Sequence, residues 1–308
     1  MQITDPVFTD ADKAREHLEA INWPLGPVCP HCGERENVTR LKGKSHRPGL
    51  IQCNACAKNF TVTVGTVFER SKVPLNKWLL ATYLISSSKK GISAKQIERM
   101  LGVTYKTAWF MMHRIREAMT SDDKSGFGSG GGIVEADETF IGKEPGKKKG
   151  PGFHHKMKVV ALVDRNTGRS RAFVVDRVNR STVTPIVLKN VDRSARLATD
   201  EGPHYRFVGK HMRDHKAVNH SAKEWARGNV HINTVEGYFS IFKRGMKGVY
   251  QHCGKKHLHR YMAEFDFRYS NRSATGCEDQ DRAMRAVLGA VGKRLTYRNP
   301  DVGVSATA

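Results

Sequence analysis

The 308-residue chain carries 52 lysines and arginines against 30 aspartates and glutamates, a formal charge of +22 with its 14 histidines neutral, and 39% of its residues are hydrophobic. This excludes a wholly disordered chain and, at roughly 150 residues per domain, leaves room for about two domains with small modules. No run approaches the ~18 consecutive apolar residues of a membrane span, and the first residues lack the basic-then-apolar pattern of a signal peptide. A cytoplasmic, nucleoid-associated protein with no membrane contact is expected, because so large a positive surplus is best offset by nucleic-acid phosphates, whose neutralisation releases counterions.

Residues 1–25 read as an N-terminal helical segment and residues 26–72 as a metal module. Cys29 and Cys32 form one CxxC pair, Cys53 and Cys56 a second, with 20 residues between them. Two such knuckles present four thiolates to a single tetrahedral ion, so one structural Zn²⁺ is expected. Short strands are expected at Val38 to Leu41, at Leu50 to Gln52 and along Phe60, Val62 and Val64. Four cysteines complete the shell, which leaves His31 and His46 on the surface. Cys253 and Cys277 read as ordinary buried or half-buried thiols.

From Asn76 to Met119 the apolar positions recur at helical spacing, enough for three helices within residues 73–120. In GISAKQIERMLGVTYKTAWFMMHRIREAM, Ser93 caps one helix, Gly102 makes a turn and Thr104 caps the next, the layout of a helix-turn-helix. Tyr105, Lys106, Thr107 and Arg114 would then face DNA. The stretch 121–132, SDDKSGFGSGGG, reads as a flexible linker.

Beyond it the register becomes strand-like, at Ile133 to Ile141, His155 to Asp164 and Ser170 to Val178. A helix follows over Thr182 to Val191 and a brief strand over Arg196 to Thr199, ending at Asp200. This β-β-β-α-β order resembles an RNase H-like core, in which neighbouring strands each deliver an aspartate to a shared metal site. In HINTVEGYFSIFKRG, residues 231 to 245, Val235, Phe239 and Phe242, with Met246 just beyond, mark an apolar helical stripe. Asn233, Glu236, Ser240 and Lys243 fall within roughly 80° of one another on an adjacent face.

The segments ADETFIGK, LATDEG, KAVNHS and HINTVEGYFSIFKRGMKGVYQH…KKHLHRYMAEFDFRYSNR resemble the DDE-type transposases of bacterial insertion sequences that carry an N-terminal zinc ribbon. The resemblance spans roughly residues 25 to 275 and implies an α/β chain: an RNase H-like mixed-sheet catalytic domain over 133–275, preceded by the ribbon and the helix-turn-helix. It implies an active site of two aspartates, an Asn or Glu, and a lysine. Asp137, Asp200 and Lys243 match the first, second and fourth. Glu236, 36 residues after Asp200 and 7 before Lys243, is the preferred third residue, with Asn233 as the alternative.

The chemistry agrees on independent grounds. Mg²⁺ or Mn²⁺ takes oxygen ligands, here Asp137, Asp200 and Glu236, and a pair of such ions serves in-line displacement at phosphorus. Lys243 would hold a non-bridging phosphate oxygen as a point charge. The resemblance further implies cleavage at element ends, strand transfer into target DNA, double-stranded DNA as partner, and a homodimer or higher oligomer. A zinc-ribbon DNA-binding regulator with an inactive core, and an RNase H-like nuclease that does not join strands, remain open at this point.

Other residues receive lesser roles. Glu138 points to the strand face opposite Asp137. Asp164 and Asp176 read as turn formers, Asp214 as charge-paired, and His220 and His231 as surface histidines by default, with a place beside the site as the alternative. Lys147, Lys148 and Lys149, with Lys143, Lys156 and Lys158, lie in a Gly/Pro-rich connection suited to the DNA backbone. Arg244, Lys247, Lys255 and Lys256, interleaved with Tyr250 and Tyr261, suit DNA ends. The tail 276–308 shows a helix around Ala283 to Leu288 and no motif.

Overall fold

A computed structural model of the protein describes residues 2–296. The chain divides into two compact units: residues up to Ile85 with Ala94–Met119 and those from Ala283 on, and Ser86–Ser93 with Thr120–Arg282. Among the described residues, no helix is long and apolar enough to cross a membrane.

The first unit opens with helices α1 (Pro6–Thr9) and α2 (Ala11–Asn22). Asp10 caps α2 by accepting from the amides of Asp12 and Lys13. Three short strands follow, β1 (Val38–Arg40), β2 (Ile51–Cys53) and β3 (Asn59–Phe60), paired antiparallel in that order. Past Phe60 the expected alternation ends in turns. The core of this module is small, Cys29, Ile51, Cys53 and Phe60, too little to hold a fold without a cross-link or metal. Helix α2 leans on it: Trp23 meets Phe60 edge-on, and Glu19 pairs with Arg40 at 2.8 Å.

Helices α3 (Leu75–Ser87), α4 (Ala94–Leu101) and α5 (Tyr105–Ala118) match the three expected. Gly102 adopts φ +58° at the turn, and the Thr104 hydroxyl accepts from the Thr107 amide at 3.3 Å, stopping α4 and starting α5. After Ala283 the chain returns to this unit, where the Val67 amide donates to Ala290 O and the Gly292 amide to Gly65 O. The helix there, α10, is longer than expected, Asp279–Leu288.

The second unit is built on a five-stranded sheet. Strands β4 (Ile133–Ile141), β5 (Met157–Asp164) and β6 (Ser170–Val175) form an antiparallel meander, with β7 (Arg196–Thr199) and β8 (Asp214–Ala217) added parallel to β4, giving the order β6-β5-β4-β7-β8. This is an RNase H-like sheet. Every residue of β5 is buried, as its near-continuous apolar run requires of a strand covered on both faces. One face packs Val134, Ala136, Val160 and Leu162 against helices α6 (Arg180–Asn190) and α7 (Tyr205–Gly209). The other packs Ile141, Val159, Ala161 and Val163 against α8 (Asn233–Gly245) and α9 (Lys255–Ser270). Gly245 permits the close seating of α8: a Cβ there would stand 2.5 Å from Phe265 Cζ. Strand β8 and the two-residue pair β9 (Ala226–Arg227) and β10 (Val230–His231) have too few residues to show a period in the sequence.

The stretch expected as a flexible linker is instead docked. Phe127 is buried, bridges to Val191 and exchanges backbone hydrogen bonds with Asn190 and Asp192. The Gly128 amide donates to Asp164, and Asp123 pairs with Arg169. One aromatic residue within a Ser/Gly/Asp composition anchors it.

Candidate active site

Strand β4 sets the frame. Parallel pairing of Ile133, Val134 and Glu135 with Arg196, Leu197 and Ala198 leaves Asp137 two residues beyond the last pair on β4 and Asp200 two beyond it at the neighbouring strand's end, near enough for Asp200 to add to the field on Asp137. Alternation sends Asp137 and Glu138 to opposite faces. Glu138 accepts from the Tyr205 hydroxyl at 3.0 Å and lies 3.1 Å from His204 Nε2, on the α7 side, in agreement with its expected supporting place.

Helix α8 buries Val235, Tyr238, Phe239 and Phe242 and leaves Asn233, Glu236 and Ser240 exposed, with Lys243 half-buried. Glu236 lies close enough to add to the field on Asp137. Burial, reinforced by the charges of Glu138, Asp200 and Glu236, pushes the Asp137 carboxyl up to about 8, against the hydrogen bond it accepts from the Glu138 amide. Burial likewise raises Asp200, opposed by the Gly202 amide. His220 Nε2 stands 4.0 Å from Glu236 Oε1. Among the described residues the three carboxylates do not close to the 4.8 Å mutual spacing that the four cysteines reach.

Glu135, unremarked in the sequence, locks this arrangement. It is fully buried, two residues before Asp137 on the same strand face, ion-paired with Arg165 and 3.4 Å from His231 Nδ1. Its other oxygen accepts from the Val235 amide at 2.8 Å, satisfying an open donor in the first turn of α8. Arg165 donates in turn to Asn229 O at 2.7 Å and His231 O at 2.6 Å. A carboxylate at the N-terminus of a helix also suits its dipole. The signal was present in IVEADETFI, where alternation puts Glu135 and Asp137 on one face. Glu201 was also missed. It binds the His220 amide and the Ser221 amide and hydroxyl, and those bonds, Ser221's foremost, hold its carboxyl down to about 2.

Several cations expected at DNA are spent inside the protein. Arg114 is buried, donating to Glu69 O at 2.7 Å, its guanidinium 5.5 Å from the Trp78 ring; a helix-turn-helix reading of α5 must rest on Tyr105, Lys106 and Thr107, of which the first two are exposed. Lys147, still exposed, pairs at the surface with Glu144 at 2.6 Å, and Lys255 bridges Glu144 and Asp176. Lys158 is buried within β5. Tyr250 packs edge-on against Tyr261 of α9, ring centroids 4.8 Å apart. Lys143, Lys148, Lys149, Arg244, Lys247 and Lys256 are exposed.

The ribbon cysteines gather closely, Cys29 Sγ 3.8 Å from Cys56 Sγ and Cys32 Sγ 3.6 Å from Cys53 Sγ. Zinc–sulfur bonds of about 2.3 Å in a tetrahedron require sulfurs ~3.8 Å apart. The donor set therefore fits one structural Zn²⁺. His31 and His46 are exposed, as expected.

An RNase H-like sheet with aspartates on adjacent strands, in a chain that also carries a four-cysteine ribbon, defines a class in which a metal-held module accompanies a carboxylate-bearing core. Residues 130–270 match the ISXO2-like transposase domain and residues 9–59 the transposase zinc-ribbon domain. The chain thus carries two regions that match transposase domain families, the catalytic-type domain and the zinc ribbon. It is 27% identical over 277 residues, 85% of this chain and 91% of the relative, to an uncharacterized protein in transposable element ISH50 of Halobacterium salinarum. A solved structure of a simian T-cell lymphotropic virus intasome in complex with PP2A regulatory subunit B56 gamma aligns with a TM-score of 0.31 at 14% identity; the match spans 55% of this chain and 63%, under two thirds, of that one.

Proposed function

We propose that this transposase cuts DNA at the ends of its element and joins the freed ends to target DNA, with Asp137, Asp200, Glu236 and Lys243 as its catalytic residues. The observation that supports the reading is that Asp137 lies two residues beyond the paired Glu135 and Asp200 two beyond its partner Ala198 on neighbouring parallel strands, and that Asp200 and Glu236 both add to the field on Asp137. Crowded carboxylates repel one another, and a divalent cation relieves that repulsion. The all-oxygen donor set suits Mg²⁺ or Mn²⁺, which would activate the attacking oxygen and stabilise the leaving one.

Within that frame the residues divide the work. Asp137, Asp200 and Glu236 would hold the cations, while Lys243, about two turns along α8 from Glu236, would neutralise a non-bridging oxygen of the phosphate. Water attacks phosphorus in line, and the departing 3′-oxygen leaves as a free 3′-hydroxyl. That hydroxyl then attacks a target phosphate, forming one phosphodiester as another breaks, so the second step needs no outside energy. Asn233 starts the helix and orients the approach to Glu236. The zinc ribbon and helices α3 to α5 read the element ends, with Tyr105, Lys106 and Thr107 towards the groove and Lys148, Lys149, Arg244, Lys247 and Lys256 along the backbone. Two ends joined at one target need two such sites, hence a dimer or larger assembly on DNA.

The test is strand cleavage and joining by purified protein on a duplex carrying the element's terminal sequence, with Mg²⁺ or Mn²⁺, against Asp200→Asn. Cleavage and joined product from the native chain alone support the proposal. Cleavage without joining reduces it to a nuclease, and DNA binding with equal inactivity of both proteins leaves a regulator.

A further inference from the structure

At the tip of β4, beside Lys243, the second unit holds a cavity of about 330 Å³ that the proposed chemistry does not use. Phe140, Phe153, Lys156, Lys243, Lys247 and Glu138 line it. Phe153, in the connection between β4 and β5, is 54% exposed although it is a large apolar side chain. Its ring stacks on Phe140, centroids 4.8 Å apart and planes 19° from parallel. The Lys156 ammonium sits 4.9 Å from the Phe153 centroid.

A folded chain leaves a flat aromatic exposed in a basic cavity at a cost in hydration, and the chemistry that recovers the cost is another flat ring bearing an anion. We infer that this cavity is a subsite for an unpaired DNA nucleotide, its base stacked on Phe153 and its phosphate held by Lys156 and Lys247. The Phe140 ring backs Phe153 and fixes its plane. Lys156, seated over the ring by a weak cation–π contact, moves to the phosphate as the base arrives. Glu138 keeps Oε2 on Tyr205 and His204, and its other oxygen would accept from a base amino group. A base inside a duplex has both faces covered by its neighbours, so the platform selects a frayed or single-stranded nucleotide. Because Lys243 lines the same cavity, that nucleotide would lie next to the phosphate being cut. The subsite rests on the strand-cutting reading of the chain.

The experiment measures binding of the full chain, at low salt and with no added divalent ion, to a blunt DNA duplex and to the same duplex extended by a few unpaired adenines. The native protein should prefer the extended duplex about 10-fold, as one or two stacked bases supply. Phe153→Ala should bring that ratio close to one. Phe153→Trp should keep the preference and add an indole signal that quenches on binding the extended duplex. Equal binding of both duplexes by the native protein, or a Phe153→Ala ratio unchanged from native, overturns the subsite. Cleavage of a fully paired end, assayed separately with Mn²⁺, tells the two readings apart: if it persists while the preference is absent, only the subsite fails. Loss of binding to every duplex defeats both.

Discussion

Glu135 and Val235 stand 100 residues apart in the chain and are joined by a 2.8 Å hydrogen bond from the Val235 amide to the Glu135 carboxylate. This hydrogen bond fixes the first turn of α8 on β4, and so sets Glu236 relative to Asp137. Removing one partner of a buried ion pair strands the other, at a cost of about 3–5 kcal/mol. Glu135→Ala should lose stability in that range by urea unfolding, and Glu135→Gln less, because its carbonyl still accepts from Val235.

Substitution at the carboxylate cluster should remove chemistry and spare the fold. Asp137→Asn, Asp200→Asn and Glu236→Gln should each lower the metal-dependent cleavage rate on the order of 10³-fold, a loss of several kcal/mol of transition-state stabilisation. Circular dichroism should remain that of the native chain. The third position is decided by comparison with Asn233→Ala: if that variant loses as much as Glu236→Gln or more, while Glu236→Gln keeps most of its rate, the assignments of the two residues are exchanged.

Two cations on α5 should part company. Lys106 is exposed, so Lys106→Ala should weaken DNA binding across sequences and lower the salt slope by about 1. Arg114→Ala, which leaves Glu69 O without its donor and opens a space beside Trp78, should cost about 1–3 kcal/mol in thermal or urea unfolding. A direct DNA role for Arg114 would appear as a changed salt slope in that variant.

Zinc should be needed for the ribbon's fold. Structural zinc contributes about 10–16 kcal/mol to such modules, far more than a core of four residues supplies. A strong chelator, or Cys29→Ser, should abolish amide-exchange protection across β1 to β3 and release one zinc per chain by colorimetry. Protection along β4 and β5 should persist.

Asp266 on α9 gives stability a pH dependence. Its carboxylate accepts from the Ala172 amide and the Ser170 hydroxyl at the sheet edge, and desolvation still pushes it from its ordinary 3.8 up to about 6. The folded state therefore favours the proton. The stabilising contribution is complete below about pH 4 and is lost as pH rises through about 6, by on the order of 3 kcal/mol. Asp266→Asn should cancel that slope, so the variant gains on the native chain from pH 4.5 to pH 7 in urea titrations. Parallel curves would show that Asp266 titrates alike in both states.

Much of the fold is legible in local pattern. The CxxC pairs announce the ribbon because thiolate geometry at one ion is set by spacing along the chain. Strand β4 was legible to the residue, and α8 nearly so, because β4 alternates apolar with charged residues along Val134–Asp137 and α8 repeats its apolar residues at helical spacing. Strand β8 left no such trace in its four residues, DHKA. Phe127 turned a stretch of linker composition into a docked segment, since one buried ring outweighs the entropy of the glycines around it.

The site divides in the same way. Sequence alone determined which residues can do the chemistry: aspartates at strand ends, a carboxylate and a lysine on one helix face, four thiolates in two pairs. Tertiary structure decided which of them meet and which charges are already taken. It put Asp137 and Asp200 on neighbouring strands through a parallel pairing between segments some sixty residues apart, engaged Arg114 and Lys255 in internal contacts, and made Glu135 the clamp on α8. The physical reason is one of range. Backbone periodicity and chelate spacing act over a few residues, whereas the field on a carboxylate, and the partner that satisfies a buried charge, come from whatever the fold brings within a few ångströms.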